Sequence, residues 1–153
     1  MKWQPKDIAS YFQSEEYIDT LCIPLIPITL NNQPETAKKA DQQKSLQIIA
    51  DELERNFKGG RIFLSPSYTY ISGNNDRQEI NRLNNWTSSL SSDHFTYIFY
   101  LTYDVNWKRF EQDMDGNLIW LTAPIIEDYQ SQQTKKWVQE QSIQISALIR
   151  SYW

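Results

Sequence analysis

The chain has 153 residues, of which 40% are hydrophobic and 22% are charged, and it carries a net charge of −4 with an isoelectric point of about 5.0. This is the composition of a globular protein, and the length predicts one domain, residues 1–153, that can bury its own core. The acidic balance argues against a general electrostatic grip on nucleic acid or on an anionic membrane surface. We therefore expect neither as a partner.

Two features predict a cytoplasmic protein. Residues 1–5 contain no apolar signal-peptide segment, and the longest apolar stretch, 21–30, is about half as long as a membrane-spanning helix.

Cys22 is the one cysteine, so no intramolecular disulfide can form. Because it lies within an apolar run, we expect a buried structural side chain.

A helix and a strand are predicted at the start of the chain. Pro5 suits the first position of a helix over 5–16. Its apolar side chains recur at helical spacing: Ile8, Tyr11 and Phe12. An apolar strand over 18–23 is predicted to end at Pro24, since proline cannot donate to a sheet ladder. We expect 24–30 to be irregular for the same reason.

The middle of the chain predicts a second helix and a second strand. Pro34, after a turn over 31–33, can open this helix. The helix is strongest over 41–57, where one apolar stripe runs along it: Leu46, Ile49, Ala50, Leu53 and Phe57. Gly59-Gly60 ends it, because glycine adopts the left-handed conformation of a helix cap. A strand is predicted over 61–65, followed by a loop over 66–73.

The second half predicts two further helices and the strongest strand. Asn75 and Gln78 are spaced like a capping box at the start of a third helix. The strand over 95–103 has bulky side chains on both faces, which predicts a central position in the sheet. The closing helix is predicted over 128–151.

The segment that follows the central strand allows two interpretations. Asp115-Gly116 lies between two strand-like runs, which is a hairpin signal, so 106–112 would pair antiparallel with 117–123. The alternative is a short crossover that keeps 117–123 parallel to the preceding strand. We favour the ribbon, which would place Pro124 at the opposite end of the sheet from the other strand ends.

Strand-then-helix units predict an α/β fold. We expect a single three-layer-like domain whose mixed, partly parallel sheet has about four to five strands and is flanked by helices. Ligands of open parallel sheets bind where the strands end. The carboxyl ends of the strands are therefore the first place to look for a site.

Six residues form the candidate ligand-binding rim at these strand ends: Ser65, Ser67, Tyr68, Tyr70, Asp104 and Trp107. Hydroxyls, one carboxylate and aromatic faces suit a small polar or planar ligand, with Asp104 as the candidate for a charged contact. The same residues have an alternative, purely structural role. The serines would satisfy loop backbone, Asp104 would cap a turn, and the tyrosines would pack.

The sequence identifies no catalytic residue, and it predicts no cofactor and no metal. Its 4 glycines form neither a Gly-x-Gly-x-x-Gly nor a Walker A pattern, which argues against a phosphate-binding cofactor. One histidine and one cysteine cannot build a zinc centre, and the spacing in 113–117 differs from that of a calcium loop. His94 precedes the central strand, so we expect it away from the rim, facing solvent or capping.

Six short segments carry a resemblance to a known family: Met1-Lys2-Trp3, Tyr17-Ile18-Asp19-Thr20, Ile23-Pro24-Leu25-Ile26-Pro27, Leu64-Ser65-Pro66, Tyr68-Thr69-Tyr70 and Ile119-Trp120-Leu121. They resemble the YpiF-like family of uncharacterised Bacillales proteins, and the resemblance covers most of the chain. It implies a small cytoplasmic bacterial protein without an assigned activity. It supplies no catalytic residue.

Missing catalytic motifs and abundant aromatic residues predict a cytoplasmic interaction or regulatory module without catalysis. Its partner would be another protein, or a second copy in a homodimer that uses the aromatic end of the last helix, 151–153. The alternative is a small-molecule-binding protein or an enzyme that uses the rim. Helix-turn-helix DNA binding is disfavoured by the charge and the strand content.

Overall fold

A computed structural model describes residues 1–91 and 93–153 of the chain. The elements follow in the order α1 (Pro5–Ser14), β1 (Thr20–Ile28), α2 (Gln33–Asn56), β2 (Ile62–Leu64), β3 (Tyr68–Ile71), α3 (Arg77–Ser91), β4 (Tyr97–Thr102), β5 (Asn117–Trp120) and α4 (Gln132–Tyr152). Two 3-10 helices lie after α1 and after β4: Glu15–Tyr17 and Val105–Asp113. No helix within these two ranges is both long and apolar enough to cross a membrane.

β1 and β4 form the centre of a five-stranded sheet. The strand order is β2-β1-β4-β5, and β3 pairs with the part of β1 that extends beyond β2. Each of these pairings is parallel. The predicted α/β fold, with helices flanking a sheet of up to five strands, is confirmed. The central position predicted for the strand within 95–103 is also confirmed.

Two apolar cores lie on opposite faces of the sheet. Side chains of α2 and α4 pack on one face, and side chains of α3 and of the helix Val105–Asp113 pack on the other. Neighbouring residues of β1 divide between them, since successive side chains of a strand point to opposite faces. Cys22 belongs to the α2–α4 core and is 1% exposed, so its predicted burial is confirmed. Burial raises the pKa of this thiol to about 12.

β1 passes through two prolines, so the prediction that it ends at Pro24 and that 24–30 is irregular is wrong. The carbonyl of Cys22 accepts a hydrogen bond from the Ser65 N–H, on the β2 side of the strand. Because backbone groups alternate between the two sides of a strand, Pro24 lacks its donor at the break between β2 and β3. Pro27 lacks its donor on the opposite side, beyond the last pair with β4. Both prolines stand where no ladder bond is lost.

The prediction of a loop over 66–73 is wrong for its central residues, because Tyr68–Ile71 form β3. Alternate side chains of this strand are buried and exposed, as expected for a strand with one covered face. The pattern is only four residues long and is bounded by turn-forming residues, which is why the sequence favoured a loop. The strand exists because β1 extends far enough to pair with it.

The antiparallel ribbon predicted after the central strand is wrong, and the short parallel crossover is observed. Val105–Asp113 form a 3-10 helix, and β5 runs parallel to β4. Gly116 serves a close approach rather than a hairpin, because a Cβ there would lie 2.6 Å from Cγ2 of Ile98. β5 therefore ends at the same edge of the sheet as the other strands, not at the opposite end.

The start of α3 differs from the prediction, whereas the start of α2 agrees with it. Asp76 caps α3, rather than the pair Asn75 and Gln78, because its Oδ1 accepts the N–H of Glu79 at 3.0 Å. Asn75 is instead 7% exposed and packed inside. α2 begins at Gln33, next to Pro34, which is the residue predicted to open it, because Asn32 caps the helix there.

Candidate functional site

The carboxyl edge of the sheet brings three of the six candidate rim residues together. The Tyr70 hydroxyl donates to Oδ2 of Asp104 at 2.6 Å. Nε1 of Trp107 donates to the same hydroxyl at 2.8 Å, and the two rings meet edge to face with centroids 4.9 Å apart. Trp107 is fully buried and Tyr70 is 2% exposed. The polar side-chain atoms of Asp104 and Trp107 are therefore joined by hydrogen bonds through the Tyr70 hydroxyl.

Burial, followed by the nearby Asp104 carboxylate, raises the pKa of Tyr70. The hydroxyl consequently stays protonated and acts as a donor to Asp104. Oδ1 of Asp104 also accepts the N–H of Asn106 at 3.0 Å, so this carboxylate caps the helix Val105–Asp113. These contacts match the structural role of Asp104 and hold that helix against the sheet.

Tyr68 turns away from this cluster toward α3. Its hydroxyl donates to Oε1 of Glu79, and Nη1 of Arg82 donates to the same oxygen at 2.8 Å. The Arg82 guanidinium carbon lies 4.8 Å from the centroid of the Tyr68 ring. Burial, and then Glu79, raises the pKa of Tyr68. The Tyr68 and Tyr70 rings stack with centroids 6.4 Å apart.

Ser65 and Ser67 lie in the loop between β2 and β3. Oγ of Ser65 is 3.3 Å from the Cys22 carbonyl oxygen and 2.9 Å from the Pro66 carbonyl oxygen. Oγ of Ser67 donates to Oε1 of Gln47 on α2 at 3.3 Å. The six rim residues are thus divided among three neighbourhoods, and a ligand site built from all of them stays a prediction.

A second candidate surface lies between α1 and α3, at the amino end of β4. This groove encloses about 520 Å³. Twelve residues line it: Trp3, Ile8, Tyr11, Phe12, Glu15, Leu21, Phe63, Pro66, Leu90, Ser91, His94 and Phe95. We call it the α1–α3 groove. His94 is exposed here, away from the rim as predicted, with Nε2 2.9 Å from the Glu15 carbonyl oxygen.

Aromatic rings form the body of the α1–α3 groove. The Tyr11 centroid lies 5.0 Å from that of Phe63 and 6.5 Å from that of Phe95. Phe12 meets Tyr11 edge to face at 5.1 Å and remains 64% exposed, while Trp3 is 66% exposed. Packed rings therefore fix the inner surface, and two large side chains stand free beside it.

The charge around the α1–α3 groove is mainly negative. Glu15 is the one acidic residue among those that line the groove. Glu16 follows it in the chain, Asp93 precedes His94, and both are exposed. The groove thus combines an apolar interior with acidic surroundings.

The sequence predicted the helix that carries this groove but not the groove itself. Ile8, Tyr11 and Phe12 show the helical spacing of a buried stripe, whereas α1 contains no buried residue. The position of α1 against α3 decides how much of the stripe is covered, and that position is set by long-range packing. The only sign of this groove in the sequence is the presence of Trp3 and Phe12 near the N terminus.

The aromatic end of α4, predicted as a self-association face, is partly docked in its own chain. Nε1 of Trp153 donates to Oγ1 of Thr20 at 3.0 Å. The Arg61 guanidinium carbon lies 3.8 Å from the centroid of the Trp153 ring, and Phe57 contacts the ring edge to face at 5.3 Å. Tyr152 remains 46% exposed.

Comparison with known proteins identifies relatives along the whole chain. A family model described as a protein of unknown function, DUF2487, matches residues 9–153. The uncharacterized protein YpiF of Bacillus subtilis (strain 168) is 32% identical over 155 residues, which covers 100% of this chain and 98% of that protein. No solved structure matches. These matches confirm the resemblance seen in the sequence.

Proposed function

Because the chain belongs to the DUF2487 family, whose function is unknown, we propose its function from the geometry of its surface. The protein is a non-catalytic interaction module. Its α1–α3 groove accepts an amphipathic, basic helix from a partner protein.

This proposal rests on the incomplete burial of the apolar side of α1. An amphipathic helix in a globular protein is stabilised mainly by burying its apolar stripe. α1 buries none of its ten residues fully, although Ile8 and Tyr11 contact the groove. Phe12 and Trp3 are both about two-thirds exposed. A second helix laid beside α1 would complete the burial that the chain leaves unfinished.

The composition of the groove favours a protein partner. Trp, Tyr and Phe are enriched among the residues that contribute most to binding between proteins, particularly around a well-packed centre. The rings of Tyr11, Phe63 and Phe95 form such a centre, flanked by Trp3 and Phe12. Glu15 and Glu16 add negative charge at one end, which favours a partner carrying Lys or Arg.

Two observations support a role without catalysis. The polar atoms of Tyr70, Asp104 and Trp107 are engaged with one another. Cys22 is a poor nucleophile, because burial raises its pKa to about 12 and removes it from solvent. A cytoplasmic location suits the proposal, since the single cysteine is buried and free.

A labelled helical peptide tests the proposal directly. The probe is a fluorescein-labelled peptide of about 15 residues, with Leu on one face and Lys on the other. Fluorescence anisotropy is expected to show saturable binding to the protein. Phe12→Ala is expected to weaken it about tenfold, because it removes a ring next to the packed centre. A peptide with Glu in place of Lys is expected to bind at least about tenfold more weakly.

Ile143→Ala is the matched control, because Ile143 on α4 is 63% exposed and does not line the groove. It is expected to leave peptide binding unchanged. Binding that neither substitution weakens would show that the acidic protein attracts the basic peptide without using the groove. A dimer in sedimentation that Phe12→Ala converts to monomer would assign the groove to a second copy and overturn the proposal.

A further inference from the structure

A cavity of about 450 Å³ lies between the first half of α2 and the carboxyl ends of β1 and β3. It exists because two parts of the structure diverge. β1 pairs with β4 only as far as Pro24, yet continues to Ile28 beside β3. α2 begins at Gln33, but its first buried residue is Ser45. Oγ1 of Thr36, in the first turn of α2, donates to the Thr29 carbonyl oxygen at 2.9 Å. The space therefore lies between this contact and the first buried residue of the helix, where α2 crosses the strands.

The helix side of this cavity continues the core-facing stripe of α2. Leu46, Ala50 and Leu53 are buried at helical spacing. The same stripe, followed toward the N terminus, reaches Gln43 and Ala40, which line the cavity. Ala40 is too small to reach the strands, so the space remains open.

The strand side of the cavity is aliphatic. Pro27, Ile28 and Leu30 contribute from β1 and the residues after it, and Ile71 contributes from β3. Leu30 is 91% exposed and Ile71 is 53% exposed. A mostly apolar cavity of this volume, at the carboxyl end of parallel strands, falls within the range of small-molecule sites of about 300–1,000 Å³.

One charge accompanies this apolar surface. Lys39 is the one charged residue among those that line the cavity, and it is half-buried. Within residues 1–91 and 93–153, no acidic side chain forms an ion pair with it. Lys38, its neighbour, lines a different cavity formed with residues 122–126. A half-buried ammonium beside an aliphatic surface complements a ligand with one anionic group and an apolar body.

We propose that this cavity binds a small amphiphilic carboxylate, whose apolar chain lies against the β1–β3 extension and whose carboxylate pairs with Lys39. The proposal concerns a different surface from the α1–α3 groove and goes beyond the protein-binding role. Failure of one proposal therefore leaves the other standing.

Calorimetric titration of the full chain with octanoate tests this proposal. Saturable binding is expected, and Lys39→Met is expected to weaken it about tenfold, because it keeps the aliphatic stem and removes the charge. Lys38→Met, the matched control, is expected to leave the affinity unchanged. Octylammonium, with a similar chain and the opposite charge, is expected not to bind.

Ala40→Trp provides a second test, because it fills the cavity from an exposed helix position without touching the buried core. It is expected to abolish octanoate binding while the circular dichroism spectrum stays that of the folded protein. The proposal is overturned by any of three results: no saturable octanoate binding, equal loss with Lys38→Met and Lys39→Met, or equal binding of octylammonium.

Discussion

Gly116 shows how a single residue can have a role that its sequence context conceals. Next to Asp115 it is a hairpin signal, but in the structure it allows β5 to approach β4. A Cβ would lie 2.6 Å from Cγ2 of Ile98 and 2.9 Å from the Ile98 carbonyl oxygen. The neighbour that fixes this role is close in space, so local turn chemistry could not reveal it.

We predict that Gly116→Ala destabilises the protein by about 1–3 kcal/mol, because the strands must separate to admit the methyl group. The measurement is the midpoint of urea unfolding followed by circular dichroism. Gly60→Ala is the control, since its Cβ would meet only the Phe57 carbonyl oxygen at an ordinary 3.4 Å. Equal stability of the two variants would contradict the close-approach role.

Tyr70 shows what the sequence could and could not say about the candidate rim. Parallel strands end together, so the meeting of Tyr70, Asp104 and Trp107 follows from the predicted sheet. Whether such residues leave room for a ligand depends on side-chain packing. Here the three residues hydrogen-bond to one another, and Trp107 is fully buried.

We predict that Tyr70→Phe destabilises the protein by about 1–3 kcal/mol, because Nε1 of Trp107 loses its acceptor while remaining buried. Denaturant unfolding measures the loss. Tyr17→Phe, at a side chain that is 69% exposed, is expected to change stability by less than about 0.5 kcal/mol. If Tyr70→Phe were as well tolerated as Tyr17→Phe, the hydrogen-bonded cluster would have no structural importance.

At the scale of elements, the predictions were correct for helices, which the local sequence pattern determines. They were wrong for strands whose formation or direction depends on pairing with another strand. α1, α2, α3 and α4 were found mainly from the spacing of their apolar residues, although Asp76, and not Asn75, caps α3. β3 and the direction of β5 were missed, because both depend on which strand lies alongside. The prolines of β1 misled for the same reason, since a proline is harmless wherever its neighbour offers no acceptor.

One ion pair joins three elements at the amino edge of the sheet. Asp19, just before β1, is 2.7 Å from Nη2 of Arg61, just before β2. The Arg61 guanidinium also lies over the Trp153 ring at the end of α4. Partial burial acts to raise the pKa of Asp19, but hydrogen bonds from Arg61 and Thr20 outweigh it and lower the pKa.

We predict that this pair contributes to stability at neutral pH and loses its contribution in acid. A carboxylate whose pKa is lower in the folded state stabilises above its unfolded pKa, about 3.9, and the effect is lost as pH falls through the folded value. Asp19→Asn is therefore expected to be less stable by up to about 1 kcal/mol at pH 7 and equal to the parent in strong acid. Urea unfolding across pH 2–7 measures this, with Glu140→Gln, from an exposed pair 3.9 Å apart, as the control. A constant deficit across this range would contradict the ion-pair role.

At the scale of the whole molecule, two partly apolar surfaces lie on different parts of the fold. The α1–α3 groove lies at the amino end of β4. The cavity lined by Lys39, which we call the Lys39 cavity, lies at the carboxyl ends of β1 and β3. The fold class could be predicted from the order of strands and helices. The surfaces could not, because each is left by elements that meet incompletely: α1 against α3, and the first half of α2 against β1.

Amide hydrogen exchange of the full chain, with and without the Leu–Lys peptide, tests the interaction role most directly. α1 has no buried residue, so its amides are expected to exchange rapidly in the free protein. The account predicts that the peptide slows exchange in α1 and in the C-terminal half of α3, and that Phe12→Ala removes this protection. Protection confined to α4 or to the Lys39 cavity, or none at saturating peptide, would contradict it.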